Sequence, residues 1–119
     1  MKAIQFSLIM IAATLAAGCA PTTKYAWGGY ETSLYDHYRT PGNNAAFAES
    51  LSQTIAKAEV SGQRVPPGIY AEYGSVLLDM GDNTLASASF EKEKQHWPES
   101  TTLMDTMLRL AFKPQEQKP

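Results

Sequence analysis

His37, His96 and Cys19, with a scatter of carboxylates and serines, are the residues of this 119-residue chain whose side chains could do chemistry. Nucleophilic catalysis needs a Ser, Thr or Cys beside an oriented base. His37 follows Asp36 among tyrosines, and His96 closes a charged run beside Gln95; neither has a partner at a telling spacing, so surface or half-buried packing is expected of both. A metal site needs three or four converging ligands, which two isolated histidines do not give. Glu91 and Glu93 alternate with Lys92 and Lys94. Helical neighbours two apart point to different sides, so this reads as a solvated charge run rather than a pair of catalytic carboxylates. Gly28-Gly29 lacks the later glycine and the lysine of a phosphate-cradling loop. The expectation is a chain that is not an enzyme and holds no metal and no cofactor.

What precedes Cys19 decides the chemistry open to its thiol. Lys2 is the only charged side chain before Lys24, and the run from Ala3 to Ala17 is apolar except for Gln5, Ser7 and Thr14. A charged start followed by an apolar run is the layout of an export signal. Leu15-Ala16-Ala17-Gly18-Cys19 resembles the lipobox of bacterial lipoproteins, although Leu15 sits one place further from the cysteine than the usual large apolar residue and Ala16 takes that place. The resemblance implies diacylglycerol on Cys19, removal of residues 1–18 and a further acyl chain on the new amine. The competing reading is ordinary secretory cleavage that leaves a free thiol. A single cysteine in an exported chain has no disulfide partner, which favours the lipid. Acyl chains contribute about 0.8 kcal/mol per buried methylene, so two or more anchor a protein stably. No stretch reaches the roughly eighteen consecutive apolar residues of a membrane-spanning helix. Ala20 follows the cysteine where inner-membrane lipoproteins of double-membraned bacteria carry Asp, so the resemblance implies the outer membrane.

Without residues 1–18 the chain keeps nine of its ten basic residues and all twelve acidic ones, a net charge of −3. That balance argues against nucleic acid or anionic headgroups as partners.

The elements that must position these side chains read as helices. Residues 19–29, rich in Pro, Thr and Gly, are expected to be a flexible lipidated tether, and 30–112 a single helical domain. Tyr30, Leu34, Tyr35 and Tyr38 recur at helical spacing before Pro41-Gly42, and packing is expected of the tyrosines after Tyr30, while Tyr25, Trp27 and Tyr30 are open between packing, membrane interface and a partner. Asn43 or Asn44 offers a cap for a second helix, with Phe47, Leu51, Ile55 and Ala58 on one face and Ser61-Gly62 at its end. Pro67 fits the first turn of a third helix carrying Tyr70, Tyr73, Gly74, Leu77 and Leu78, and Gly81 gives a left-handed exit. A fourth starts after Asp82 or Asn83, holds Leu85, Ala86, Phe90 and Trp97 on one side with residues 91–94 mainly toward water, and stops at Pro98. Ser100 is placed to cap a fifth with Leu103, Met104, Met107, Leu108 and Ala111 inward; residues 113–119 are expected to be disordered.

Short connections make consecutive helices antiparallel neighbours, so the fold expected is all-α, a small antiparallel bundle. Counted from Pro67, the landmarks Tyr70, Gly74, Leu77, Gly81, Ala86, Phe90 and Pro98 resemble a tetratricopeptide repeat, with Glu93 standing where that repeat usually has a small residue. One repeat does not bury its own faces, so the flanking helices are expected to cover it. The resemblance puts the first helix of the hairpin on a concave side, and nominates Ala71, Ser75, Leu78 and Asp79 as partner-contacting residues.

Trp27-Gly28-Gly29-Tyr30, Ser33-Leu34-Tyr35, Pro66-Pro67-Gly68-Ile69-Tyr70-Ala71-Glu72-Tyr73-Gly74, Phe90-Glu91-Lys92-Glu93 and Trp97-Pro98-Glu99-Ser100 together resemble domain of unknown function 4810, over roughly residues 24–108. That family comprises small lipoproteins of Gram-negative bacteria, often encoded beside a curli-secretion-channel-like lipoprotein. The resemblance implies an address and company but no activity. The function expected is an outer-membrane-anchored interaction or assembly module facing the periplasm, with other envelope lipoproteins or a secretion pore as partners. The alternatives are a pilotin-like escort for an outer-membrane subunit and, further off, an enzyme acting on envelope polymers.

Overall fold

Proline and glycine decide where the helices of this chain begin and end. The computed structural model describes residues 24–113, and among them every regular element is helical. The export signal expected over 1–18, Cys19 and the tail beyond Lys113 lie outside the described residues. Helix α1 spans Tyr30–Arg39, α2 Asn44–Ser61, α3 Ile69–Asp79, α4 Asn83–His96 and α5 Thr101–Phe112, with a 3₁₀ turn at Pro98–Ser100 between the last two. Each helix packs on its neighbours in sequence; α3 and α4 form the most extensive pair, and α5 reaches back to touch α3. The all-α antiparallel bundle is therefore the fold.

Several boundaries have a visible cause. Asp82 caps α4, its side chain accepting from the Leu85 amide at 3.0 Å, and Gly81 closes α3 at φ 85° while the Asp82 amide donates to the Leu77 carbonyl. The start of α3 differs from expectation. Pro67 is not in the helix: the Ile69 amide donates to the Pro66 carbonyl across Pro67-Gly68, with Gly68 at φ 91° and ψ −17°. Proline second and glycine third define a type II turn, which leaves the Gly68 amide pointing away from the helix and free to donate elsewhere. The expected caps from Asn43, Asn44 and Ser100 are also absent: neither α2 nor α5 has a side-chain cap bond, and the Ser100 hydroxyl is used across the fold instead.

Burial divides into two clusters. Phe47, Leu51, Ile55 and Ala58 of α2 meet Val65, Ile69, Tyr70 and Val76; Leu77, Ala86, Phe90 and Met104 form the second, and Tyr73 packs against both. Leu85 and Leu103, expected inward, are 43 % and 60 % exposed, and Tyr35 and Tyr38 are largely exposed rather than packed. Glu93, expected toward water, is completely buried. Of the segment read as a tether, residues 24–29 lie on the domain: the Tyr25 ring meets Trp97 edge-on at 5.9 Å, and Ala26 packs on the first cluster.

Gly74 sets the distance between α3 and α4. A Cβ there would stand 2.5 Å from Phe90 Cε1 and 2.7 Å from Cδ1, and the Phe90 ring is fully enclosed. Ala is intrinsically better in a helix than Gly by about 1 kcal/mol, whereas forcing a methyl into a closed core costs typically about 1–3 kcal/mol. The clash is severe, so the second effect wins. Gly74→Ala is expected to destabilise the domain by about 1–2 kcal/mol in urea unfolding, and to cost less in a Phe90→Leu background where the obstructing ring is gone. A rise in stability from Gly74→Ala alone contradicts this packing.

Candidate functional site

The side chains with chemical potential gather where the turn before α3 meets the end of α4. Glu93 lies at their centre because its helix carries Ala86, Phe90, Glu93 and Trp97 at steps of four, three and four, a single face. Its Oε1 accepts from the Gly68 amide at 2.8 Å and from the Ser100 hydroxyl at 3.2 Å. One carboxyl thus ties α4 to the type II turn and to the 3₁₀ turn ahead of α5. Ser89, one turn earlier and also buried, donates to the Tyr70 carbonyl at 2.9 Å. Trp97 is buried beside this joint and the Arg64 guanidinium lies 4.1 Å above its ring, while an Arg64 N–H donates to the His96 carbonyl at 2.9 Å.

An outer layer covers the joint. Glu59 of α2 accepts from Lys92 at 2.8 Å and from the Tyr70 hydroxyl at 2.9 Å. The bond from Lys92, then that from Tyr70, hold the Glu59 carboxyl below its ordinary range. Burial, then the bond to Glu59, push the Tyr70 phenol well above its ordinary value. Burial and the bond to Glu72, 2.5 Å away, do the same for Tyr30 and pin α1 to α3. On the far side Lys94 pairs with Asp105 at 2.6 Å, a bond that raises the lysine's affinity for its proton and fastens α4 to α5.

Both imidazoles serve in packing. His37 stacks on Phe47 with centroids 4.3 Å apart, and His96 stacks on Tyr70 at 5.4 Å. Among the described residues neither ring hydrogen-bonds a hydroxyl or a carboxylate, and no three His, Cys, Asp or Glu side chains are grouped to hold a metal ion. Two hollows are open to solvent. One of about 210 Å³ lies between α1 and α2, lined by Ser33, Asp36, His37, Asn43, Ala46 and Phe47. The other, about 80 Å³ and mainly apolar, lies among Ile55, Tyr70, Tyr73, Leu85, Ser89 and Lys92.

The residues nominated to meet a partner are divided in their surroundings. Ala71 and Leu78 are half-buried against the second core cluster, the Ser75 hydroxyl is turned back to the Ala71 carbonyl, and Asp79 is exposed. Cys19 lies outside the described residues. Sequence reasoning missed Glu93 because alternating Glu and Lys dominate the local pattern; its place on the Phe90 and Trp97 face was the available signal. It also missed the exposed apolar flank of α5, where Leu103 and Leu110 face solvent.

The geometry is that of a helical domain clamped through a buried carboxyl, with both described histidines stacked on aromatic rings. The chain belongs to the family described as Domain of unknown function (DUF4810), whose model matches residues 24–107. Comparison with curated proteins and with solved structures gives no match.

Glu59 makes the outer layer sensitive to acid. Its carboxyl is lowered in the folded state, so its contribution is complete above the ordinary glutamate value and is lost as pH falls through the folded one. The pair is about half exposed, which limits it to under about 1 kcal/mol. Glu59→Gln is expected to lower stability slightly at neutral pH, and its gap to the parent chain is expected to close as pH falls through and below the ordinary glutamate range in urea titrations. A gap that widens in acid contradicts the assignment.

Proposed function

We propose that this chain is an outer-membrane lipoprotein whose helical domain is a non-enzymatic interaction or assembly module in the periplasm. The observation that carries the reading is the sequence around Cys19: a lysine, an apolar run and Leu15-Ala16-Ala17-Gly18 immediately before the cysteine. Lys24, where the described domain begins, is five residues further on. At about 3.3–3.6 Å per extended residue, such a link keeps the domain within roughly 20 Å of the anchored cysteine.

Confinement to a surface raises the local concentration of neighbours, so a modest contact area suffices for binding. The partners proposed are other envelope lipoproteins or an outer-membrane secretion pore, in keeping with the family resemblance. No helix of the described residues is long and apolar enough to cross a membrane, so the lipid is the attachment this reading requires. The contact residues proposed are Ala71, Ser75, Leu78 and Asp79 on α3, of which Asp79 is the most accessible.

Cells fed radiolabelled palmitate are expected to label the parent chain and not Cys19→Ser, and the variant is expected to leave the membrane fraction with its melting temperature unchanged. An unlabelled parent chain, or a Cys19→Ser chain that stays on the membrane, removes the reading.

A further inference from the structure

Helix α5 is more apolar than its single buried face requires. Met104 and Ala111 point into the domain, with Met107 and Leu108 half-buried beside them. Leu103, Met107 and Leu110 recur at steps of four and three and form a second stripe, about 90° around the helix from the first at 100° per residue. Leu103 and Leu110 are 60 % and 47 % exposed. Residues 114–119, Pro-Gln-Glu-Gln-Lys-Pro, bring no large apolar side chain to lay over that stripe.

We propose that a second copy of this chain covers the stripe, the two α5 helices packing antiparallel about a two-fold axis between Thr106 and Met107. The spacing is that of a heptad seam, with leucine at both d positions and Met107 at the a position between them. This two-fold sets Leu103 of one copy against Leu110 of the other and brings the two Met107 side chains beside each other at the axis. It also brings Glu99 of one copy to within one residue of Lys113 of the other. Both are exposed, and neither makes an ion pair within the described residues. Opposite charges at the two ends are therefore self-complementary only in the antiparallel arrangement; a parallel pair places like against like. The same patch serves both copies, as a closed two-fold interface demands. Three apolar side chains per copy are fewer than a stable dimer in solution uses, and here the inference rests on the anchored reading above, since confinement to a membrane supplies the missing concentration.

Cysteine cross-linking in the full chain, kept in its membrane and treated with a mild oxidant, tests the arrangement. Met107→Cys is expected to give a covalent product of twice the chain mass, at least tenfold more than Val60→Cys, which is 90 % exposed on α2. Leu103→Cys and Leu110→Cys are expected to join when the two variants are co-expressed and to join poorly when each is alone. Leu110→Glu or Leu103→Glu, in a chain that still melts cooperatively, is expected to suppress the Met107→Cys product about tenfold. Met107→Cys yield no greater than that of Val60→Cys, an adduct of any mass other than two chains, or a product that survives both glutamate changes overturns the pairing. The parent chain reports separately on the anchor: if it cross-links through Cys19, that thiol is free and the anchored reading fails, while the pairing is then read in the Cys19→Ser chain at high concentration, where a Met107→Cys yield above that of Val60→Cys supports it and an equal yield overturns it.

Discussion

The arrangement of this domain depends on one buried carboxyl. Glu93 sits on the apolar face of α4 and accepts from the Gly68 amide and the Ser100 hydroxyl, joining in one group the turn that launches α3 and the turn that launches α5. A polar group removed from water costs several kcal/mol unless hydrogen bonds replace those it loses. Burial of Glu93 is tolerable only with those donors in place, so the type II turn at Pro66 to Ile69 and the 3₁₀ turn at Pro98–Ser100 are fixed relative to α4. The cost of the buried group becomes geometric specificity.

From that joint the remaining contacts follow in layers. Gly74 lets α3 approach Phe90, Ser89 ties α4 to the Tyr70 carbonyl, and Tyr70 carries its hydroxyl out to Glu59 on α2. Lys94 and Asp105 fasten α5 at the other side of α4. Both imidazoles are stacked on aromatic rings. The accessible features are surfaces: the hollow between α1 and α2, the exposed tyrosines of α1 and the leucine flank of α5. Surfaces of this kind are the features that the proposed lipid at Cys19 and the proposed pairing along α5 would bring into use.

Much of the fold was legible because Pro and Gly punctuate the chain and the apolar residues of α2 to α4 keep a helical period. The ends of α1, α2 and α4 fall within a residue or two of their expected places for that reason. The errors share a physical origin in competing local signals. Pro67 suits a helix start, yet Gly68 after it makes the type II turn the better fit for the same residues. Ser100 suits a cap, yet a buried acceptor at 3.2 Å outbids the exposed amides of α5. Glu93 belongs to a charge run by composition and to the core by position, and position prevailed because two donors were waiting. Leu103 looked inward because α5 has two apolar stripes, and the sequence alone does not say which one the domain covers. The interaction surface was the least legible part, since half of the nominated α3 residues are already engaged in packing against the second cluster.

Native-state hydrogen exchange at the Gly68 amide tests the Glu93 joint most directly. Gly68 is an exposed turn residue whose amide has the Glu93 carboxyl as its acceptor. The account predicts that this amide exchanges only through global unfolding, as slowly as the amides of Leu51 and Phe90 in the core, and that Glu93→Ala accelerates it selectively toward loop rates. A Gly68 amide that already exchanges at loop rates in the parent chain, or one left protected by Glu93→Ala in a still folded domain, contradicts the claim that this carboxyl holds the three elements together.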